Sequence, residues 1–427
     1  MNCPRSLITL LLAALLTLLA ACEKAGPAPT ATPDQAAAET AAALFAQPTR
    51  AAHASPTPEP APNIELAINR TLAQMEQAVL AGDRDAYLAH VWTDDATFLV
   101  EQQRWAQDWV DHPLSAFDLS ISALDAPEGA SEARARLTIT WTQRDQDSSG
   151  GATLSVVFYR DGDRWLYGGE DWHTMEFDRA RLYYFSGPLV NNRLEAELMA
   201  EDLPNVIARL SRVLAIEPDA PVKIKLYESA ATLQTVTRLS MPDLAVWTQP
   251  GEAIKLPLGP SSTAPRPPDV AREVARWLLY CLDAKAQRSG GEEMLIPWWL
   301  VEGFVEYGAA QFRPVSQQNQ MIKRIAALAA APNTAEQRLF TWDELSDRET
   351  FAAAQPTLNA AEAFGLARDQ SATLVYFIGE RFGIQARHQW LEAISRGQWL
   401  DKATEDHLGQ SFAALDEAWR AWLREQE

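Results

Sequence analysis

The sequence predicts an α+β protein with two structured parts. Short helices followed by alternating apolar residues indicate a helix-plus-curved-antiparallel-sheet domain over residues 63–187. Alternation at 222–227 and 253–258 predicts a small second sheet, and helical apolar stripes predict an all-α C-terminal part. Because 47% of the residues are hydrophobic, the chain can fill two sizeable cores.

The N-terminus predicts a segment that is cleaved and lipidated. Arg5 precedes an apolar run over 7–21 that is too short to span a bilayer as a mature helix. The run ends in Leu-Ala-Ala before Cys22, which resembles the signal of bacterial lipoproteins. The resemblance implies a signal peptide over 1–21 and a lipid on Cys22 in the cell envelope, facing outside the cytoplasm. Because Glu23 follows the cysteine, we expect the protein at the outer membrane in a bacterium with two membranes. The alternative interpretation of the segment is a short membrane anchor with an incidental cysteine.

Residues 22–62 predict an extended tether. Alanine, proline and threonine dominate the segment, as in Ser55-Pro-Thr-Pro-Glu-Pro-Ala-Pro62. Prolines at this density disfavour helix and sheet and keep the chain extended and solvated. The tether would hold the folded part away from a membrane. After cleavage, Cys281 is the one unmodified thiol of the sequence, so no internal disulfide is expected.

The charge of the chain limits its partners. A formal net charge of −20 argues against binding to nucleic acid and against docking on anionic lipid by charge. The expected membrane contact is therefore made through the lipid on Cys22.

Residues 63–187 predict helices and then a meander. A helical apolar stripe begins at Ile64 and ends at Gly82. Strand-like alternation follows at 117–123, 133–141 and 153–159, and Asp161-Gly162 predicts a hairpin between 156–159 and 165–167. The order of elements, with the phrases Ala81-Gly-Asp83 and Asp161-Gly-Asp-Arg-Trp-Leu166, resembles the SnoaL-like, or nuclear transport factor two-like, fold. The resemblance implies a cone-shaped domain that encloses a pocket.

Large aromatic residues are the candidates for lining such a pocket. The possible pocket residues are Trp92, Trp109, Trp141 and Trp165, with Asp94, His90 or His173 at the mouth. The alternative for each tryptophan is the core, since large aromatics supply much of the buried area of a small sheet domain. The spacing does not assemble an Asp–His catalytic dyad.

A connecting helix is predicted at 188–220. Two further helices follow it, and we call the first of them the motif helix. The motif helix starts at Pro267, a residue suited to a first helical turn, and carries Arg272, Glu273 and Arg276. The second helix reads Trp298-Trp-Leu-Val-Glu-Gly-Phe-Val-Glu-Tyr307. The helical remainder of the chain completes the predicted order.

This order, over residues 221–427, is similar to the peptidase-MA-like family of gluzincin zinc metallopeptidases. In that family the motif helix reads His-Glu-x-x-His, and a Glu of the next helix is the third zinc ligand. The resemblance matches Glu273 with the general base and Glu302 with the third ligand. Arg272 and Arg276 stand where the family has its two histidines, and Arg368 stands near a position where it often has tyrosine.

Arginine is unable to replace the histidine ligands. A guanidinium has five N–H donors and no acceptor, and it does not deprotonate in proteins. Two guanidiniums on one helix face repel a divalent cation and attract carboxylates. We therefore expect Arg272 and Arg276 to pair with Glu302 or Glu306. The alternative is an amphipathic helix with arginines on its solvated face.

Two classes of function remain open. The favoured class is a binding or scaffold lipoprotein with a catalytically degenerate peptidase-like domain and no cofactor. Its cleft would hold an extended peptide or protein segment by backbone pairing along Ile254 and Leu256. The alternative is an enzyme, either a zinc metallopeptidase with a rebuilt metal site or a SnoaL-like pocket with a small ligand. The favoured class leaves Glu273 idle as a base.

Overall fold

A computed structural model describes residues 63–426 apart from seven internal segments. These segments are 145–148, 188–190, 242–243, 259–263, 284–294, 332–337 and 354–359. The predicted signal peptide and tether, and with them Cys22, lie outside the described residues. Within the described residues, no helix is both long enough and apolar enough to cross a membrane.

Three helices begin the described chain. They are α1 (Ile64–Ala81), α2 (Arg84–Leu88) and α3 (Ala96–Asp111). The side chains of Asn63, Asp83 and Asp95 accept backbone N–H groups at the three N-termini, which satisfies donors that have no partner inside a helix. α1 ends at Gly82 as predicted, with φ at 70°.

The first sheet is antiparallel and four-stranded. Its strands are β1 (Leu114–Asp125), β2 (Glu132–Gln143), β3 (Ser149–Asp161) and β4 (Arg164–Glu170), in that spatial order. Alternate residues of β2 are buried, among them Leu137 and Ile139, and these pack with the three helices into one core. The predicted hairpin lies between β3 and β4, with Gly162 at positive φ.

A second sheet combines both halves of the chain. Its strands are β5 (His173–Glu176), β6 (Ala180–Tyr184), β7 (Val222–Tyr227) and β8 (Ile254–Pro257). β5 and β6 are antiparallel, whereas β6, β7 and β8 are parallel. Parallel neighbours need crossover connections, here α4 (Arg193–Leu214) and α5 (Ala230–Thr237). Residues 173–184, which fall within the predicted first domain, thus pair with strands of the second.

The C-terminal part is helical, which confirms the α+β class. Its described helices are α6 (Pro267–Leu282), α7 (Trp298–Ala310), α8 (Val315–Ala330), α9 (Arg348–Ala353), α10 (Ala360–Phe382), α11 (Ile384–Ser395), α12 (Leu400–Leu408) and α13 (Phe412–Glu425). Gly303 lets α7 approach α10 closely, because a Cβ at this position would lie 2.7 Å from Ser371 Cβ.

Two large hydrophobic cores and one small cluster around Tyr227 are buried among the described residues. The larger core joins β6–β8 to α4 and the C-terminal helices, and the smaller one joins α1–α3 to the first sheet. Leu239 and Val236, which follow β7 in the chain, belong to the smaller core. The described residues from 63 onward cluster as one compact unit, so the two predicted domains share a buried boundary.

Candidate functional site

α6 presents the motif residues toward α7. Two prolines open the helix and Asp269 lies in its first turn, near the positive end of the helix dipole. The apolar face of α6, including Val274 and Leu278, is buried in the larger core. Because α6 and α7 pack against each other, the arginines of one helix meet the glutamates of the other.

Arg276 and Glu302 form a bidentate ion pair. Arg276 Nη1 donates to Glu302 Oε1 at 2.6 Å, and Nη2 donates to Oε2 at 3.3 Å. Arg276 Nε also lies 3.4 Å from Glu273 Oε2. About four-fifths of each side chain is buried, with 18% of Arg276 and 19% of Glu302 exposed. The predicted contact between the motif helix and Glu302 is therefore present.

Glu306 is surrounded by arginines. Arg272 Nη2 donates to Glu306 Oε2 at 3.1 Å, and Arg368 Nε lies 3.2 Å from the same oxygen. Arg313 contacts the other carboxylate oxygen. The sequence led us to expect the Arg272 contact. It did not link Arg313, which lies just after the end of α7, or Arg368, which lies on α10, to this carboxylate.

The neighbouring arginines favour the ionised form of both glutamates in spite of their burial. Burial raises the pKa of Glu302, but the charge and hydrogen bonds of Arg276 hold that pKa below its ordinary value. Burial likewise raises the pKa of Glu306, and Arg368, Arg272 and Arg313 together lower it below the ordinary value. For Arg276, burial lowers the pKa, yet Glu302 and Glu273 raise it overall. All three groups are thus held in their charged forms.

The residues of this cluster do not fit zinc. The guanidiniums of Arg272 and Arg276 offer no lone pair to a metal. Both oxygens of Glu302 accept from Arg276, and Glu273 accepts a hydrogen bond from Thr248 Oγ1 at 2.8 Å. Across the described ranges, no group of three His, Cys, Asp or Glu side chains is placed to hold a metal ion. We call Arg272, Arg276, Glu302 and Glu306 the arginine site.

The strand proposed to bind peptide is closed along its outer edge. Ile254 and Leu256 are buried in the larger core. Between them, the backbone N–H and C=O of Lys255 pair with the backbone of Trp247 at 2.8 and 3.0 Å. A peptide would have to displace Trp247 to add to this edge. We therefore correct the prediction of a peptide-binding strand at these residues.

The predicted tryptophans divide between core and cavity. Trp109, Trp141 and Trp165 are at most 5% exposed and belong to the smaller core, the alternative that the sequence left open. Trp92 is partly exposed and lines a cavity, together with Asp94. His173 lies on β5 of the second sheet.

The interior of the first sheet is filled by α5. The space between the helices and β1–β2 measures about 20 Å³, roughly enough for one water. Thr235 and Val236 of α5 border this space. Trp105 Nε1 donates to the Thr235 carbonyl at 2.9 Å, and Gln143 Nε2 donates to the Leu239 carbonyl at 3.3 Å. The enclosed pocket expected from the resemblance is therefore occupied by the chain itself.

An open cavity of about 430 Å³ lies between the two sheets. We call it the inter-sheet cavity. The first sheet contributes Tyr159 and Glu170 to its lining, and the second contributes Tyr183 and Lys225. Lys225 Nζ donates to Glu101 of α3 at 2.5 Å and lies 3.8 Å from Glu170. Buried charges of this kind mark a candidate functional site as well as a structural network.

The buried charges continue away from the cavity. Lys255 Nζ donates to Glu252 at 2.7 Å and lies 3.6 Å from Glu101, while Arg104 donates to Glu252 at 3.0 Å. α3 thus carries charged side chains that face the second sheet. We did not predict this network from the sequence, although the lysines that alternate with apolar residues in β7 were a visible signal.

No protein-family model matches the chain, and no curated protein matches it either. We infer the function from two features of the described residues, the arginine site and the inter-sheet cavity.

Proposed function

We propose that the protein is a lipid-anchored, extracytoplasmic binding or scaffold lipoprotein with a catalytically degenerate metallopeptidase-like part over residues 221–427. The observation that supports this most is the bidentate pair of Arg276 with Glu302. In a gluzincin, that carboxylate would bind zinc beside two histidines. In this chain a guanidinium takes the position of the metal and neutralises the carboxylate.

Glu273, the residue that the resemblance matches with the general base, is also engaged by neighbouring side chains. Glu273 is 3% exposed, accepts a hydrogen bond from Thr248 and lies beside Arg276. Hydrolysis of a peptide by this family requires a metal-bound water that such a glutamate deprotonates. Without histidine ligands the cluster offers no means of generating that nucleophile. The geometry therefore favours binding over peptidase activity.

Zinc content tests this proposal. The purified wild-type chain is expected to contain zinc well below one equivalent in elemental analysis. The double variant Arg272→His/Arg276→His is expected to gain chelator-sensitive zinc, because Glu302 would be freed and two imidazoles would lie one helical turn apart. Arg276→His alone is the matched control and should bind less. Stoichiometric zinc in the wild type, with peptidase activity lost to chelator, would establish the enzyme alternative instead.

The anchor is tested at Cys22. Replacing Cys22 with alanine should prevent lipidation and shift the protein from the membrane to the soluble or precursor fraction, since a lipid chain supplies the membrane affinity. Fractionation and immunoblotting measure this shift. Cys281→Ala is the control and should remain in the membrane fraction. Equal recovery of the Cys22 variant in membranes would contradict the lipoprotein proposal.

A second candidate function is small-ligand binding in the inter-sheet cavity. Its volume of about 430 Å³ falls within the ordinary range for small-molecule sites. Aromatic rings line this space, as they do in ordinary ligand sites, and its eight charged side chains make the lining more polar than usual. This candidate replaces the enclosed SnoaL-like pocket, whose space α5 fills.

A further inference from the structure

The inter-sheet cavity has an aromatic wall. The ring centroids of Trp92 and Tyr159 lie 5.2 Å apart with planes inclined by 40°, and both side chains are partly exposed. Trp172 and Tyr183 add a second ring pair with centroids 6.2 Å apart. Gly168 lies under Tyr159, where a Cβ would come within 2.6 Å of the ring. The absence of a side chain at residue 168 therefore allows this position of Tyr159.

The basic residues of the lining already have carboxylate partners. Lys225 pairs with Glu101 and Glu170, as described above. Lys223 donates to Thr97 Oγ1 at 2.7 Å and lies 3.5 Å from Asp95. An anionic ligand would have to compete with these carboxylates for each cation.

Arg134 is likewise held at the cavity. Its Nε lies 3.2 Å from Asp171, and its Nη2 contacts Glu132. Two carboxylates thus share one guanidinium, which leaves this part of the lining with an excess of negative charge.

The lining as a whole is acidic. Its five carboxylates are Asp94, Asp95, Glu132, Glu170 and Asp171, and its three basic side chains are Arg134, Lys223 and Lys225. Asp94 is exposed and forms no ion pair with any residue that the structure describes. The cavity therefore combines aromatic faces with two uncompensated negative charges.

We propose that the inter-sheet cavity binds a small organic cation, an amine or quaternary ammonium that carries an apolar portion. Aromatic faces attract such a cation through their quadrupoles, and they do so more strongly where water is excluded. Asp94 supplies the opposite charge, and the remaining rings cover the apolar portion. This inference rests on the second proposed function, small-ligand binding in the cavity.

Ligands of other classes fit the lining less well. An anion would meet cations that are already paired with carboxylates. An uncharged ligand would not neutralise the excess negative charge of the lining. A bare metal ion needs several donors around one point, and the described residues place no group of three His, Cys, Asp or Glu side chains in that way. A sugar-like or other neutral ligand is accordingly an outcome that would count against the proposed class.

Calorimetric titration of the full chain tests the ligand class. The probes are choline and benzyltrimethylammonium, with 3,3-dimethylbutan-1-ol as the neutral isostere of choline and 3,3-dimethylbutanoate as an anion. We expect the cations to bind about tenfold or more tightly than the neutral isostere, which corresponds to a desolvated cation–π contact with a nearby carboxylate. Added salt should weaken cation binding.

Variants locate the binding. Asp94→Asn and Trp92→Ala are each expected to weaken benzyltrimethylammonium binding several-fold to about tenfold. Asp178→Asn and Trp399→Ala are the matched controls, since both residues are exposed and lie outside the lining. Because Asp94 is exposed, its variant should fold even if the Trp92 variant does not. Unchanged affinity in Asp94→Asn would overturn the inference.

The probes also separate two kinds of failure. Binding of only the neutral or the anionic probe, weakened by Trp92→Ala, would overturn the cation class while leaving small-ligand binding in place. Absence of binding by every probe would overturn both the cation class and small-ligand binding in this cavity. Preferential cation binding that both cavity variants weaken supports the inference.

Discussion

Replacing Lys255 with alanine is expected to lower the free energy of unfolding by about 3–5 kcal/mol, the usual cost of removing one partner of a buried ion pair. Lys255 is 1% exposed and holds Glu252, whose side chain is fully buried, at 2.7 Å. Burial raises the pKa of Glu252, but Lys255 and Arg238 lower it below its ordinary value. Without Lys255, two buried carboxylates would lose an opposing charge. Urea denaturation measures the loss.

Three variants separate charge from volume. Lys255→Met keeps most of the bulk and should destabilise nearly as much as the alanine variant. Lys255→Met/Glu252→Gln should recover part of the loss, because it removes the uncompensated charge. Lys402→Ala, at an exposed pair with Asp406, is the control and should leave the stability nearly unchanged. Wild-type stability of Lys255→Met would show that the network contributes nothing through charge.

The buried charge network explains why lysines alternate with apolar residues in β7. Lys223 and Lys225 alternate with Val222, Ile224 and Leu226, which lie in the larger core. The lysines point to the other face of the sheet, toward α3, where Thr97 and Glu101 meet them. Lys225 and Lys255 are partners in the parallel register of β7 and β8. Alternation alone predicts a strand with one solvated face, and here that face is covered by a helix.

Local patterns predicted the elements well. The end of α1 at Gly82, the hairpin at Gly162 and the start of α6 at Pro267 all follow from turn and cap chemistry, which depends on neighbouring residues only. The α+β class followed from the same patterns. Such features are predictable because the residues that determine them are adjacent in the sequence.

Long-range pairing was not predictable in the same way. β5 and β6 follow the first sheet in sequence, yet they join the sheet of β7 and β8 through the pairing of β6 with β7. Nothing in a strand's own pattern specifies its neighbour. The filling of the first sheet by α5 was missed for a related reason. Val236 and Leu239 look like ordinary apolar residues of the second part, and only the fold brings them into the core that contains Trp105.

The arginine site was predictable only in part. The pairs with Glu302 and Glu306 were predicted because two guanidiniums on one helix face attract carboxylates, and the next helix carries both glutamates. The contributions of Arg313 and Arg368 to Glu306 were not, since they come from the end of α7 and from α10. Charge chemistry therefore predicted which groups would attract each other, but not how many would converge.

Arg276→Ala is expected to lower the free energy of unfolding by about 3 kcal/mol, toward the lower end for buried pairs because each partner is about one-fifth exposed. The variant leaves Glu302 buried without its bidentate partner. Arg276→Lys keeps the charge but loses the second hydrogen bond, so its loss should be smaller. Arg396→Ala, at an exposed pair with Glu392, is the control and should change stability by under about 1 kcal/mol.

Acid pH provides a second readout for the same variant. The folded-state pKa of Glu302 is lowered, so its stabilising contribution is present above the ordinary glutamate pKa of 4.5 and is lost as pH falls through the lowered value. In Arg276→Ala the buried carboxylate gains by accepting a proton. Burial without Arg276 raises the pKa of Glu302 in the variant, so the stability difference should be largest near neutral pH and should shrink as pH falls from that raised pKa to the lowered pKa of the wild type. A difference independent of pH would show that Arg276 acts through packing and not through the charge of Glu302.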